Sequence, residues 1–393
     1  MSNYFVMKFC FGKTLCFLAV TILIIGCRQN KNGNEFNEVT EEEYLPKFQN
    51  PSISWLNIYS PKIDSFFNKY FDSAYFSGQF VVAKNGFVCY ENYHGYANYE
   101  KRESIGFSTP LHVASVSKVA TALAILRLCQ NRKLGLDHNV RKYLKTFPFQ
   151  GITIRMLLNH RSGLPYYAYF SEGIWDQSKL LTNKDILVLL SKYNIPLNFR
   201  PNTHFAYSNT NYVLLALIIE EVTKKAFPSA MNDLVFKPLK MNSSFILSDS
   251  ALFTKVSQSY SSRCRNQGFN YLDAVYGDKN MYSTARDIVK LDLATYGDKF
   301  ISKPLKKEMF KGYSYENKGK KNYGLGIRII EEDEKETYFF HSGWWHGNTA
   351  MYSSLRADTI CMVVISNRYT KSVYNVNRLA KKFGNYPFNY PED

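Results

Sequence analysis

Cysteine and histidine are few and scattered in this chain of 393 residues, seven of each. No Cys-x-x-Cys pair and no Cys/His cluster has the spacing of metal ligands, so neither a metal nor another cofactor is expected. A Gly-x-Ser-x-Gly elbow, a His-Glu-x-x-His helix and a glycine-rich nucleotide loop are all missing. Long Lys/Arg runs are missing too, as are the zinc-finger, RNP and basic-zipper patterns, which leaves no feature that would recognise nucleic acid. The apolar run over residues 15–25 is too short to cross a bilayer comfortably.

What remains is a globular composition, with 45% hydrophobic and 21% charged residues, enough for one large domain or two smaller ones. Thirty Tyr and 29 Phe imply an aromatic core. The formal charge of +16 is spread along the chain and reads as a basic surface facing an anionic envelope.

Lys8 and Lys13 precede the short apolar run, which closes on Leu23-Ile24-Ile25-Gly26-Cys27. A charged start, an apolar core and a small residue before the cut describe an export signal. The closing residues resemble the cleavage box of bacterial lipoproteins. Residues 1–26 are therefore expected to be a signal peptide, Cys27 the acylated residue, 27–50 a polar tether and 51–393 the folded domain. This places the protein in the cell envelope, held to a membrane by lipid. Cys10 and Cys16 fall in the signal. Cys89, Cys129, Cys264 and Cys361 read as buried thiols, or as one or two disulfides formed after export.

Residues 78–84 and 87–91 form a strand pair around Asn85-Gly86, the strongest short hairpin signal. A helix is expected from 116 to about 130, and the stretch from about 134 to 273 mixes helices, including 183–192 and 211–222, with turns. Strands return over 323–330, 336–341, 349–355 and 359–366, followed by a helix over about 373–383. Strands at both ends with helices between predict an α+β fold: one antiparallel sheet built from both chain ends, flanked by helices, with a mainly helical insertion.

Ser115 and Lys118 lie three apart at the head of an apolar helix and so share a face. A serine hydroxyl needs a proton acceptor to become a nucleophile, and a desolvated lysine amine serves. Alone, the pattern equally describes a helix N-cap serine. Tyr207-Ser208-Asn209 precedes a second apolar helix; a phenol beside a cation can shuttle protons, and an Asn amide can orient the lysine and substrate. Tyr-x-Asn also begins at Tyr90, Tyr96 and Tyr315. His341-Ser342-Gly343 is the chain's one His-x-Gly, on an expected strand whose N–H groups can hold an oxyanion.

In this order and spacing the three elements resemble the serine β-lactamase, penicillin-binding-protein and D,D-peptidase superfamily. The Tyr-x-Asn form is similar to class C β-lactamases and related esterases and D-aminopeptidases. Residues 157–165 and 283–287 also match segments common in that family. The resemblance implies an acyl-enzyme on Ser115, with Lys118 and Tyr207 moving protons and Asn209 positioning Lys118 and substrate. It implies an oxyanion hole from the N–H groups of Ser115 and Trp344, beside Gly343.

Family members that bind β-lactams usually begin the third element with Lys, where this chain has His341. A neutral imidazole offers no fixed charge to a substrate carboxylate, so neutral esters or amides, D-amino-acid peptides among them, are the expected substrates; His341 is expected to gain a proton toward about pH 6. Trp344 and Trp345 form an aromatic wall or pack in the core. Tyr166, Tyr167 and Tyr169 are expected along the cleft. Two rivals are a true β-lactamase or D,D-carboxypeptidase, and a cell-wall-binding or sensor module without turnover. The lipid reading makes its own prediction: Cys27→Ser moves the protein from the membrane to the soluble fraction, whereas unchanged retention points to another anchor.

Overall fold

The apolar runs at the two ends of the chain meet in one sheet. The computed structural model describes residues 44–71, 76–316 and 319–388; the expected signal, Cys27 and most of the tether lie outside them. Helix α1 (Ile53–Tyr70) leads into strands β1 (Gly78–Lys84), β2 (Phe87–His94), β3 (Tyr96–Asn98), β4 (Glu103–Ser104) and β5 (Leu111–His112). Then come α2 (Ser117–Gln130), α3 (Ile154–Leu158), α4 (Tyr167–Glu172), α5 (Asn183–Lys192), α6 (Thr210–Thr223) and α7 (Phe227–Met231). The chain returns through β6 (Phe245–Ile246), β7 (Met281–Ser283), α8 (Ala285–Leu293) and α9 (Lys303–Met309). It closes with β8 (Lys321–Tyr323), β9 (Arg328–Ile330), β10 (Tyr338–Trp345), β11 (Asn348–Leu355), β12 (Ile360–Ser366) and α10 (Val376–Ala380).

The fold is α+β. Its main sheet has seven strands in the order β2-β1-β12-β11-β10-β9-β8, all antiparallel. β1 pairs with β12 from Gly78↔Ser366 to Lys84↔Ile360, which joins the two ends of the chain. Asn85 (φ 57°) and Gly86 (φ 78°) both take left-handed backbone, the geometry of a tight hairpin turn whose twist matches the strands it joins.

Every residue of β12 is buried because both sheet faces are covered. Phe80, Val82, Met362 and Val364 point to an aromatic-rich layer with Phe66 and Phe67 of α1 and Leu379 of α10. Val81, Val363 and Ile365 point to the larger layer containing α2 and α6. These two helices are apolar almost all round, as a helix enclosed by protein must be. Residues 134–273 hold α3 to α7 together with β6.

Three expectations change. Residues 44–50 are not free tether: Tyr44 packs edge-on against Phe300, and Phe48 against Tyr296. The single strand over 323–330 is split into β8 and β9 by Gly324 to Ile327. A Cβ on Gly326 would lie 2.4 Å from the Ala122 Cβ, so this turn is pressed onto α2. Helix α1 had no counterpart among the expected elements; it tolerates Pro61 because Ile63, Phe66 and Phe67 gain a buried face. The four cysteines of the described residues are free.

A second sheet has three strands in the order β5-β7-β6; just before β7 the carbonyls of Gly277 and Asp278 accept from Thr121 and Lys118 of α2. Gly277 has φ +92°, and a Cβ there would sit 2.5 Å from the Tyr212 carbonyl oxygen. Gly277→Ala should therefore destabilise the protein by about 2–5 kcal/mol through backbone strain and overpacking. Urea denaturation measures this, and a change under about 0.5 kcal/mol would refute the close approach.

Candidate active site

Ser115 lies in a tight 3-10 turn, Ala114–Val116, that feeds directly into α2. Ala114 is left-handed, with φ +48°. A non-glycine residue held there costs about 1–3 kcal/mol, so the surroundings must impose it. One helical turn on, the Lys118 amine donates to Ser115 Oγ at 3.0 Å and to the Asp278 carbonyl oxygen at 2.7 Å. Lys118 has no solvent exposure. The Tyr207 and Tyr212 rings wall it at 5.1 and 5.6 Å.

β10 crosses this turn. β9 pairs with it only from Tyr338 to Phe340, so the edge from His341 to Trp345 is not covered by β9. A Cβ on Gly343 would lie 2.5 Å from the Val113 carbonyl oxygen and 3.0 Å from the Ser115 nitrogen. Glycine is what lets the strand pass so near the nucleophile's own amide.

The structure thus brings Ser115, Lys118, Tyr207, His341 and Gly343 together; the Tyr207 and His341 rings are 6.4 Å apart. Asn209 stands at the head of α6, where its side-chain oxygen is buried without a hydrogen-bond partner. Its amide interacts with the Tyr166 hydroxyl, whose acidity burial weakens. Trp344 is 63% exposed. Trp345 packs inward and donates its indole N–H to Asp273 at 2.6 Å. Of the three expected cleft tyrosines, Tyr169 is exposed and Tyr166 partly covered, whereas Tyr167 is buried and donates to Asp278 at 3.0 Å.

Comparison with known proteins bears on the family and the fold. Residues 63–383 match the family described as Beta-lactamase. Penicillin-binding protein 4* of Bacillus subtilis (strain 168) is 32% identical over 314 residues, covering 76% of this chain and 70% of that protein. The chain belongs to the beta-lactamase family of serine hydrolases. Protein flp of Staphylococcus aureus (strain MW2) is 32% identical over 167 residues, which are 41% of this chain and 33% of that protein. Among solved structures, a penicillin-binding protein from Bacillus halodurans superposes with a TM-score of 0.72 at 24% identity, covering 81% of this chain and 98% of that one. EstCE1, a hydrolase with promiscuous acyltransferase activity, gives a TM-score of 0.69 at 22% identity over 84% and 98% of the two chains.

The site also contains residues outside the three short sequence elements. The His160 ring packs against that of Tyr207, tilted by 36° with 4.3 Å between centroids. Its Nδ1 accepts from the Ser208 N–H at 3.2 Å and the Asn211 amide at 2.9 Å. The Arg328 guanidinium stands 4.8 Å from the Tyr207 ring. Lys279 is a second buried lysine, bonded to the Tyr167 hydroxyl at 2.8 Å; burial pulls its pKa down. Arg328 and Lys279 carry no local sequence signal because their roles depend on chain crossings far apart in sequence.

His341 behaves differently from expectation. It is fully buried, its Nδ1–H donates to the Ser342 carbonyl at 2.9 Å, and its Nε2 accepts from the Tyr323 hydroxyl at 3.0 Å. Burial, reinforced by the positive charges of Arg328 and Lys118, holds its pKa well below the ordinary histidine value. A folded pKa that low leaves the ring neutral at pH 6 as well as at 7.5. The ratio of kcat/KM for a matched neutral and anionic substrate pair should therefore stay flat between about pH 7.5 and 6 with respect to His341. Its variant His341→Gln should give the same flat ratio; a wild-type ratio that changes several-fold and becomes flat in the variant would restore the titrating histidine.

Proposed function

We propose that this protein forms an acyl-enzyme on Ser115 and hydrolyses small esters or amides, D-amino-acid derivatives among them. The observation that carries the reading is the 3.0 Å hydrogen bond between Ser115 Oγ and a lysine amine enclosed by protein. The Ser115 oxygen attacks the substrate carbonyl carbon while its proton passes to the Lys118–Tyr207 couple. The oxyanion takes the N–H groups of Ser115 and Trp344. The couple returns the proton to the leaving alcohol or amine as the scissile bond breaks, and water then releases the acid from Ser115. Asn209 and Tyr166 hold the substrate from the helical side, with Gly343 keeping the strand close.

A carboxylate-bearing substrate is the second reading, and Arg328 favours it. Its guanidinium stands beside Tyr207 and within electrostatic reach of His341. It supplies the permanent charge that His341 lacks. The preference for neutral substrates argued from His341 is therefore weakened.

The lipid anchor belongs to the same proposal. Among the described residues no helix is long and apolar enough to cross a membrane. Attachment through acylated Cys27 would place the basic domain against an anionic envelope.

Lys118→Met and Tyr207→Phe should each lower kcat by roughly 10³-fold while leaving the melting temperature within a few degrees. The double variant should lose little more than either single one, because the pair moves one proton. Full activity in either single variant, or losses that multiply in the double, would refute the couple.

A further inference from the structure

The left-handed backbone at Ala114 presents Ser115, and both of its neighbouring peptides are gripped. The Ala114 carbonyl accepts the Ser117 hydroxyl at 2.6 Å, and Ser117 Oγ in turn accepts the Met281 N–H at 3.2 Å. The Ala114 N–H donates to His112 Nδ1 at 3.1 Å. A backbone N–H can only donate, so Nδ1 must carry a lone pair and the ring proton must sit on Nε2. From there it points to Asn280 Oδ1 at 3.2 Å. The Asn280 amide donates to the Asp273 carbonyl at 2.5 Å. The Asp273 carboxylate takes the Trp345 indole at 2.6 Å and faces His346 Nε2 at 3.0 Å. A chain of hydrogen-bonded residues therefore links the end of β10 to the Val113–Ala114 peptide, two residues before the nucleophile.

We propose that His112 is a positioning residue for the nucleophile: as a neutral Nε2–H ring it holds the Ala114 amide and so fixes the turn that carries Ser115. The inference rests on the reading of Ser115 as nucleophile. His112 is well placed for this. It is buried on β5, registers with Tyr282 of β7, and its ring meets the Tyr282 ring edge-on at 5.1 Å. The charged and titratable groups facing it are Asp273, Lys279, His346 and Tyr282. Burial dominates over them and brings its pKa down to about 4, which keeps Nδ1 free to accept across the neutral range.

The bond from residue 112 to the amide two positions on has the span of an Asx turn. An asparagine oxygen can therefore replace the imidazole nitrogen, whereas phenylalanine keeps the ring and loses the acceptor. The test uses the full-length protein and the pre-steady-state burst with a chromogenic neutral ester. His112→Phe should slow acylation by roughly 10–100-fold with little change in KM, since a slightly misplaced nucleophile loses rate and not binding. His112→Asn should stay within about threefold of wild type. Histidine-selective ¹⁵N NMR, with the signal assigned by its loss in His112→Asn, should show the Nε2–H tautomer persisting from pH 7 to about 5. Acylation in His112→Phe as fast as wild type would overturn the inference, as would a charged or Nδ1–H ring at pH 7. Should His112→Phe fail to fold, the Asn variant and the NMR signal still decide, because an Asn variant as impaired as Ser115→Ala contradicts the role. A wild type with activity equal to Ser115→Ala would instead bring down the nucleophile reading itself.

Discussion

A lysine amine closed off from water must find its acceptors inside the protein, and the site is arranged around that requirement at Lys118. An uncompensated buried ammonium costs several kcal/mol, so the amine is stable only where oxygen atoms converge on it. One acceptor is the Asp278 carbonyl and the other is Ser115 Oγ. The first exists because residues 277–280 are pressed against α2, where Thr121 also donates to the Gly277 carbonyl at 2.8 Å. The second is the atom proposed to react. The need to satisfy the amine and the need to activate the serine are met by one geometry.

The strand opposite is constrained in the same way. Gly343 allows β10 to cross Val113 and Ser115 at distances a side chain would forbid. His341 turns inward, where its two bonds leave it neutral, while Arg328 carries the positive charge beside Tyr207. Charge and shape are thus divided between two residues where a lysine in the third element would combine them. The site is shielded by rings: His160, Tyr212 and Tyr323 pack around Tyr207 and Lys118, so the electrostatic interactions there act in a poorly screened medium.

Much of this was legible before any coordinates. The apolar runs around the Asn85-Gly86 turn gave the limits of β1 and β2 at 78, 84 and 87, and α5 matches its expected 183–192, because these elements follow local rules of patterning and capping. The order Ser115, Lys118, Tyr207, Asn209, His341 pointed to the family. What stayed hidden depends on contacts distant in sequence. His112 gains its part from Asn280, and Arg328 from the turn that splits β8 from β9. The neutrality of His341 follows from burial beneath Tyr323 and Arg328, which no neighbour in the chain announces. Tyr167, grouped with its neighbours by composition, turns inward to Asp278 while Tyr169 faces solvent.

The central claim is that Ser115 carries the acyl group. The most direct measurement is intact-mass analysis of the full-length protein quenched in acid during turnover of a slow ester, followed by peptide mapping. The account predicts a single acyl adduct on the peptide containing Ser115, absent in Ser115→Ala. An adduct on another residue, or turnover at the wild-type rate in Ser115→Ala, would contradict it.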